Sequence, residues 1–339
     1  MASSQFAGAG RVVAAVCHGP AAFVLTLPFG YTRGMNRQLL SASMLFPLFS
    51  CTLLNHPTPP VRDSAPAISK TEPVRLHSAS LGKGRTLLFL HGFGANSYSW
   101  SKVSQSLSED YRLILLDLKG HGASPKPNDK AYSLRDQAEL VSAFITDNAL
   151  EDVTLIGHSL GGGIALLAAL KLSAQARNPM SSLILIDSVA YAQPLPTFIK
   201  FLRIPLLAQL SVWLVPDRLK TVHVLKLAYY DPDKITEETV DAYSAPLSLP
   251  GAHHALIQTA RQIIPPDIEE ISLRYGSIRV PTLLVWGNHD RIVPLQIGER
   301  LHRSIPNSEL VVINDAGHVP QEEQPEATLE AIRKFLQAP

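Results

Sequence analysis

Cysteine and charge are both scarce in this sequence of 339 residues. Its two cysteines, Cys17 and Cys51, both lie in the N-terminal region, so the rest of the chain needs no disulfide even in an oxidising compartment. Charged residues make up 17% of the chain and the formal net charge is +1, which argues against a nucleic-acid partner. A hydrophobic share of 46% is instead typical of a globular enzyme with a large core.

Motifs for the common bound cofactors are also missing. The sequence has no glycine- and lysine-containing loop for phosphates, no ligand spacing for zinc and no glycine-rich fingerprint for a dinucleotide. We therefore expect neither a metal nor a cofactor, and any chemistry must come from the side chains of the chain itself.

The most informative segment that is present covers residues 153–163. An apolar run is followed by G-H-S-L-G at 157–161 and then by small and apolar residues at helical spacing. This pattern predicts a serine on a sharp turn between a strand and a helix, with an exposed hydroxyl and a helix N-terminus that points at developing negative charge. A five-residue pattern of this kind also occurs by chance in many proteins. Ser159 can therefore be assigned as a nucleophile only if the sequence also offers a base and an acid.

Two later residues are candidates for that acid and that base. Asp290 and His318 each follow a short apolar run that predicts a strand. Active sites of open parallel sheets lie in loops beyond the carboxyl ends of the strands, and the order serine, acid, histidine fits this arrangement. The sequence thus predicts a catalytic set of Ser159, Asp290 and His318. Asp187 at the end of another apolar run is a rival acid, because Asp290 could instead be an ordinary turn residue.

A glycine-rich loop predicts the place where a negatively charged intermediate would be stabilised. The residues H-G-F-G at 91–94 follow the apolar run 86–90. In a sheet of this type such a loop supplies one backbone N–H, here that of Phe93, and the residue after the nucleophile, here Leu160, supplies the other. Two preorganised donors of this kind contribute several kcal/mol to lowering the barrier. His91 itself is expected to be structural.

Five motifs together resemble the α/β-hydrolase superfamily. They are HGFGANSYSW at 91–100, DLKGHGASPKP at 117–127, GHSLGG at 157–162, GNHDRIVP at 287–294 and AGHVPQEEQP at 316–325. The resemblance runs from about Val74 to Leu336 and implies an α/β-hydrolase fold, a doubly wound, mostly parallel sheet with a helical cap inserted after the sixth strand.

This resemblance also points to a branch of the superfamily. The branch holds esterases, lipases, haloperoxidase-like enzymes and carbon–carbon bond hydrolases, in which His121 and Ser124 are structural. Haloalkane dehalogenases and epoxide hydrolases are similar but place an aspartate at the turn. Ser159 therefore argues against both of those activities.

The order of the apolar runs agrees with this fold class. Strands alternate with helices, as in a parallel sheet with helices on both faces. Residues 74–80 are expected to form an edge strand, with the first strand of the family reduced or missing. The other predicted strands are 86–90, 113–117, 153–157, 183–187, 282–286 and 310–313, and the predicted helices are 134–148, 160–173 and 325–336.

Residues 189–278 interrupt this alternation. The segment is helical in character, with repeated prolines and no strand–loop–strand pattern. The family places its cap here, and the apolar stretch 198–215 is expected to line part of an acyl- or aryl-binding pocket. An apolar cap over a serine nucleophile favours a small hydrophobic substrate. His253 and His254 lie in the cap and are expected to be surface or packing residues.

The N-terminal region predicts export. Residues 35–51 have a basic start, a short apolar run and L-F-S-C ending at Cys51, which resembles a bacterial lipobox. Lipidation of Cys51 would tether the chain to a membrane through a flexible linker at 56–71, with the hydrolase domain over 72–339. We therefore expect a leader over 1–55 and an exported, membrane-anchored protein. The alternatives are an uncleaved hydrophobic anchor or N-terminal helix, and a cytoplasmic location.

The first 34 residues form a separate case within this leader. Their resemblance to the nucleophile turn of another enzyme family covers only a couple of dozen residues and lacks the rest of that domain. We expect translation to start at Met35 and residues 1–34 to derive from a fused or neighbouring reading frame.

Together these features predict a serine hydrolase that cleaves carboxylic esters of hydrophobic substrates through an acyl-enzyme. A carbon–carbon bond hydrolase acting on vinylogous diketones would use the same triad, with an arginine, for which Arg203 is a candidate, on the substrate carboxylate. A non-catalytic binding protein on this fold is the third alternative, and the complete set of Ser159, Asp290 and His318 disfavours it.

Overall fold

The structure is a computed structural model that describes residues 74–338. Seven strands in this range form one sheet. They are β1 Ser78–Leu81, β2 Thr86–Leu90, β3 Arg112–Leu116, β4 Val153–His158, β5 Met180–Ile186, β6 Thr282–Gly287 and β7 Ser308–Ile313. Their order across the sheet is β1-β3-β2-β4-β5-β6-β7, and within the described range only β1 runs antiparallel to its neighbour. The predicted fold class is confirmed.

Twelve helices accompany the sheet within this range. They are α1 Ser101–Leu107, α2 Leu134–Asp147, α3 Leu160–Leu172, α4 Thr197–Arg203, α5 Pro205–Leu214, α6 Asp217–Ala228, α7 Glu237–Ser244, α8 Ala252–Gln262, α9 Ile268–Leu273, α10 Leu295–Ser304, α11 Pro320–Glu323 and α12 Pro325–Gln337. Local signals explain some of the boundaries. At the start of α2, for example, Ser133 and Asp136 exchange side-chain and backbone hydrogen bonds in a capping box.

Alternation along the strands divides the hydrophobic core into two clusters. In β2, Leu88 and Leu90 belong to the cluster that includes α2, α3 and α10, whereas Leu87 and Phe89 belong to the cluster that includes α1 and α12. Successive side chains of a strand point to opposite faces, so a strand with helices on both sides is apolar at nearly every position. This explains why the central strands appear in the sequence as continuous apolar runs.

Helices α4–α9 form a single insertion between β5 and β6. Its two ends lie side by side, because these strands are parallel neighbours and Leu183 is opposite Thr282. Ile204 and Val215 each precede a proline, adopt extended backbone angles and end α4 and α5, as expected for residues before proline. The expected position after the sixth strand counts a first family strand that residues 74–338 lack, so the cap follows the fifth strand of the observed sheet.

The predictions for the N-terminal region lie outside the described residues. They concern the leader over 1–55, the lipobox at Cys51 and the linker at 56–71. Among the helices of residues 74–338, none combines the length and the apolar composition that a membrane span requires.

Candidate active site

Ser159 occupies a sharp turn between β4 and α3. Its backbone φ is 53°, a left-handed conformation that costs a residue with a side chain about 1–3 kcal/mol. The turn also needs glycine on both sides of the serine. A Cβ atom at Gly157 would lie 2.4 Å from the carbonyl oxygen of Gly161, and a Cβ atom at Gly161 would lie 2.2 Å from the carbonyl oxygen of Leu90. The G-x-S-x-G spacing therefore follows from close backbone packing.

The structure brings Ser159, His318 and Asp290 together. The His318 Nε2 atom lies 2.8 Å from the Ser159 hydroxyl oxygen, and its Nδ1 atom lies 2.7 Å from a carboxylate oxygen of Asp290. An ionised carboxylate only accepts hydrogen bonds, so Nδ1 carries the proton and Nε2 is free to accept from the serine. All three side chains are buried at the carboxyl-terminal edge of the sheet.

Asp290 is held in its ionised form. Burial acts to raise the pKa of its carboxyl group, but the neighbouring His318 and hydrogen bonds from His318, Asp187 and the Val293 N–H bring the pKa below its ordinary value. The second carboxylate oxygen accepts from the backbone N–H groups of Ile292 and Val293 at 2.7 and 2.9 Å. The loop after β6 thus fixes both the charge and the orientation of this side chain.

Asp187, the rival acid, lies beside Asp290 and has a different state. It is fully buried at the end of β5, where burial and the charge of Asp290 raise the pKa of its carboxyl group well above the ordinary range. One oxygen accepts from the Gly287 N–H at 3.0 Å, and a carboxyl oxygen of Asp187 lies within 4.8 Å of one of Asp290. Because Asp290 is the ionised member of the pair, Asp187 is the neutral, protonated acid.

Polar groups of Asp187, Asp290 and His318 lie within 4.8 Å of one another, a spacing that a metal ion also requires. The Nδ1 atom of His318 and one Asp290 oxygen are already used in their mutual hydrogen bond, and the other Asp290 oxygen accepts from two backbone N–H groups. The donor set therefore fits a hydrogen-bonded chain better than an open metal site.

The loop that carries His318 is fixed from two sides. The backbone N–H of His318 donates to the carbonyl of Ala228 at the end of α6, at 2.7 Å. The backbone carbonyl of His318 accepts from the Nε2–H of His158 at 2.6 Å. Burial, together with the nearby His318, lowers the pKa of His158 to about 3, so this histidine is a neutral donor at physiological pH. His158 directly precedes the nucleophile, so this hydrogen bond fixes the position of the His318 loop relative to Ser159.

Phe93 and Leu160, the residues expected to stabilise an oxyanion, both adjoin Ser159, because Phe93 lines the same cavity and Leu160 is the next residue of the chain. Neither Phe93 nor Leu160 uses its N–H in a hydrogen bond to another described residue, and Leu160 is the first residue of α3, where such groups are free. The loop 92–94 packs tightly here, since a Cβ at Gly92 would lie 3.3 Å from the Cβ of Ser159. Leu118 N–H donates to Nε2 of the buried His91 at 3.1 Å, which supports the expected structural role of this histidine.

A cavity of about 450 Å³ opens at Ser159 and His318. Its wall is mainly apolar and includes side chains of α4, α5, α6 and α8 in the cap. One polar cluster interrupts this wall. Asp217 lies 2.7 Å from the Lys220 ammonium group and 2.8 Å from the Nε2 atom of His253. His253 is therefore a cavity residue as well as a packing residue, whereas Arg203 lies exposed at the end of α4 and does not line this cavity.

The sequence analysis missed a second anchor of the histidine loop. Buried Glu322 accepts hydrogen bonds from the hydroxyl groups of Tyr229, at 2.7 Å, and Tyr243. Glu323 accepts from the Gly317 N–H at 2.6 Å and from the Tyr230 N–H at 2.7 Å. These contacts join the loop to the cap. Two adjacent glutamates shortly after a loop histidine were the available signal, but their burial depends on tertiary packing.

Comparisons with known proteins agree with this geometry. The sequence model described as "Alpha/beta hydrolase family" matches residues 87–331. The "Uncharacterized hydrolase YugF" of Bacillus subtilis (strain 168) is 34% identical over 254 residues, which cover 74% of this chain and 90% of the relative.

Two further similarities come from proteins with more specific names. The "2-hydroxy-6-oxononadienedioate/2-hydroxy-6-oxononatrienedioate hydrolase 2" of Pseudomonas putida is 29% identical over 275 residues, covering 78% of this chain and 92% of the relative. A malate-bound thermophilic esterase from Thermogutta terrifontis superposes with a TM-score of 0.67 at 25% identity, covering 79% of this chain and 96% of the esterase.

Proposed function

This chain belongs to the alpha/beta hydrolase family, as its motifs predicted, and on that basis we propose that it is a serine hydrolase that cleaves carboxylic esters of hydrophobic substrates. One observation carries the proposal. A hydrogen-bonded chain from Ser159 through His318 to Asp290 ends in a mainly apolar cavity. A polar reactive group surrounded by apolar walls suits an ester whose acyl or alcohol part is hydrophobic.

The acylation step follows from the positions of the side chains. His318 accepts the proton of Ser159 while the serine oxygen attacks the ester carbonyl carbon. Asp290 holds the neutral imidazole in the tautomer with the proton on Nδ1, and it stabilises the imidazolium that then forms. The N–H groups of Phe93 and Leu160 receive the oxyanion that forms on the carbonyl oxygen.

Acylation ends when the alcohol leaves, and deacylation then repeats the chemistry with water. His318 gives its proton to the departing alkoxide, so the alcohol leaves as a neutral product and the acyl group stays on Ser159. The same histidine then accepts a proton from a water molecule that attacks the acyl-enzyme. Collapse of the second tetrahedral intermediate releases the carboxylic acid and restores the serine.

A carbon–carbon bond hydrolase is the second candidate, favoured by the similarity to the Pseudomonas putida hydrolase. The same nucleophile and base would serve that reaction. Arg203, the side chain expected to hold the substrate carboxylate, does not line the cavity, and Lys220 in the cavity wall is already paired with Asp217. The cavity therefore fits an uncharged ester better than a dicarboxylate.

The test is hydrolysis of p-nitrophenyl esters from acetate to palmitate by the full chain. The Ser159→Ala variant should lose turnover by a factor on the order of 10⁶, as when such a nucleophile is removed from a serine hydrolase. The chain length with the highest kcat/KM then gives the length that the cavity accommodates. Ester turnover that survives in Ser159→Ala would contradict the proposal.

A fluorophosphonate probe separates the remaining candidates. Labelling of Ser159 without turnover of any ester would favour the carbon–carbon bond hydrolase, which is then assayed with a ring-fission product. Neither labelling nor turnover would favour a non-catalytic binding protein. His318→Ala serves as a second control, because it should abolish labelling while leaving the serine in place.

A further inference from the structure

The cap exposes an unusual amount of apolar surface. Large hydrophobic side chains in α5 and beside it are accessible to solvent, with relative exposures of 48% for Ile204, 70% for Leu206, 44% for Leu210, 74% for Leu214 and 60% for Leu219. We call these five residues the apolar cap face. Contiguous apolar surface of this kind on a globular protein marks a site of interaction, whereas single exposed hydrophobic residues are common and have no such meaning.

Helix α5 presents this face to solvent along its length. Leu206, Leu210 and Leu214 recur every four residues and so lie on one side of the helix, while Ala208 is fully buried against the rest of the cap. Ser211 and Val212 are half-buried on the cavity side, so the three leucines account for most of the apolar surface that α5 leaves exposed. Burial of each leucine elsewhere would contribute about 1.5–3 kcal/mol.

The segment that carries most of this face has charge of one sign. From residue 188 to residue 216 the sequence contains no aspartate or glutamate, and its two charged residues are Lys200 and Arg203. Both are exposed in the last turn of α4, next to the apolar cap face. The first acid after this stretch, Asp217, is paired with Lys220 and His253. Within residues 74–338 neither Lys200 nor Arg203 forms an ion pair, and an apolar face with such cations beside it complements a layer that has an apolar interior and a negatively charged surface.

The apolar cap face is continuous with the cavity that contains Ser159. Phe201 and Leu207 connect the two, because each is exposed to solvent, at 50% and 36%, and each also lines the cavity. A hydrophobic molecule therefore meets apolar side chains from the exposed face to the nucleophile.

We propose that the apolar cap face docks on an anionic lipid bilayer, with α5 lying in the interface and Lys200 and Arg203 contacting lipid head groups. Interfacial helices bind in this way through one apolar face and adjacent cations. A second copy of the chain fits less well, since a symmetric dimer through this face would bring the cations of both copies together. Docking does not depend on the ester-hydrolase proposal. The entry of membrane-dissolved esters through Phe201 and Leu207 does rest on it.

Site-specific fluorescence tests the docking surface directly. The only two cysteines are Cys17 and Cys51, so the full chain with both changed to serine accepts one environment-sensitive fluorophore at Leu214→Cys. The matched control carries it at Leu273→Cys, since Leu273 is 85% exposed on α9 but lies outside the apolar cap face. Each protein is mixed with vesicles of equal parts phosphatidylglycerol and phosphatidylcholine, and with vesicles of phosphatidylcholine alone.

We expect the emission at position 214 to shift to shorter wavelength with the anionic vesicles, and to shift less with the neutral ones. Position 273 should stay unchanged. The proposal is overturned if the chain sediments with vesicles while the label at 214 keeps its aqueous emission, because another segment then makes the contact. Absence of vesicle binding also overturns it. A shift without lipid that grows with protein concentration would identify a second copy as the occupant.

Unlabelled variants give the energetic test. Leu206→Gln combined with Leu214→Gln should weaken binding to anionic vesicles at least about tenfold, because two leucines lose burial in lipid. Leu81→Gln combined with Leu273→Gln removes two exposed leucines elsewhere and should leave binding unchanged. Lys200→Gln with Arg203→Gln should weaken binding only to anionic vesicles. Ser159→Ala should bind vesicles like the unaltered chain. Vesicle binding can therefore be interpreted even if the ester-hydrolase proposal fails.

Discussion

Asp187 and Asp290 place carboxyl oxygens within 4.8 Å of one another, so these two buried carboxyl groups share one negative charge. Two buried carboxylates at this distance cannot both ionise without a large cost, and the environment decides which one keeps its proton. His318 and two backbone N–H groups face Asp290, whereas Asp187 has burial and a single N–H. The charge therefore resides on the residue that contacts the histidine.

This relationship predicts opposite results for two similar substitutions. Asp187→Asn keeps a donor toward Asp290 and an acceptor for the Gly287 N–H, so kcat/KM should stay within about threefold of the unaltered chain. Asp290→Asn removes the charge and the tautomer control of His318, and kcat should fall by about 10⁴-fold. Ester hydrolysis by both purified variants checks this. A comparable loss in Asp187→Asn would identify Asp187 as the operative acid.

The buried histidines His158 and His121 should not contribute to the pH dependence of activity on the acid side. Burial lowers the pKa of His158 and of His121 to about 3, so neither gains a proton over about pH 5–8, the range in which histidines normally titrate. The logarithm of kcat/KM should therefore fall toward low pH with a slope of at most one, because neither of these two histidines adds a second proton. A slope of two, measured with a neutral ester at constant ionic strength, would reveal a second essential proton.

The turn at Ser159 should not tolerate the substitution of Gly161 by alanine, which adds a methyl group. The added Cβ would meet the Leu90 carbonyl oxygen in β2 at 2.2 Å, and both sides of this contact are backbone. Gly161→Ala should therefore lower the free energy of unfolding by on the order of 3 kcal/mol and abolish activity. Gly276→Ala is the control, since the nearest atom to its Cβ is 3.5 Å away. Urea denaturation of both variants decides whether the glycine is required by sterics.

Glu322 should make the fold less stable as the pH rises. Burial raises the pKa of this carboxyl group from an ordinary 4.5 to about 7, and hydrogen bonds from Tyr243 and Tyr229 limit the rise. The folded state then binds the proton more tightly than the unfolded state, so its stabilising effect is complete below about pH 4.5 and is lost as the pH rises through about 7.

Glu322→Gln removes this dependence. Relative to the unaltered chain, its free energy of unfolding should improve by on the order of 3 kcal/mol between about pH 4.5 and 8. Denaturant titrations at several pH values measure the difference between the two proteins, in which the other titrating groups cancel. Parallel stability curves for the two proteins would show that Glu322 ionises freely in the fold.

Sequence reasoning located most of the sheet for a simple physical reason. Buried strands of a parallel sheet are continuous apolar runs, and the predicted run at 86–90 coincides with β2 while that at 153–157 falls one residue short of β4. Ser159 was recognisable because its turn needs glycine at fixed spacing. These features are local in the chain, so the amino acids themselves reveal them.

The supporting contacts of the candidate site were not local. His158 reaches a carbonyl 160 positions away, and Glu322 joins two tyrosines of the cap. The proton on Asp187 depends on Asp290, which follows it by about a hundred residues and faces it only because β5 and β6 are adjacent. Such relationships arise from the packing of separate elements, and no spacing in the sequence records them.

The cap enters and leaves the sheet at neighbouring strands, between Ile186 and Thr282. Ser159 precedes it in the chain, and Asp290 and His318 follow it. Many of the side chains that line the cavity are thus encoded in one contiguous stretch, and Ser159, Asp290 and His318 lie outside it. Exchange of this segment would replace that part of the cavity wall while the strand register beneath Ser159 stays intact, so the shape of the cavity can change without any change in the three residues at its base.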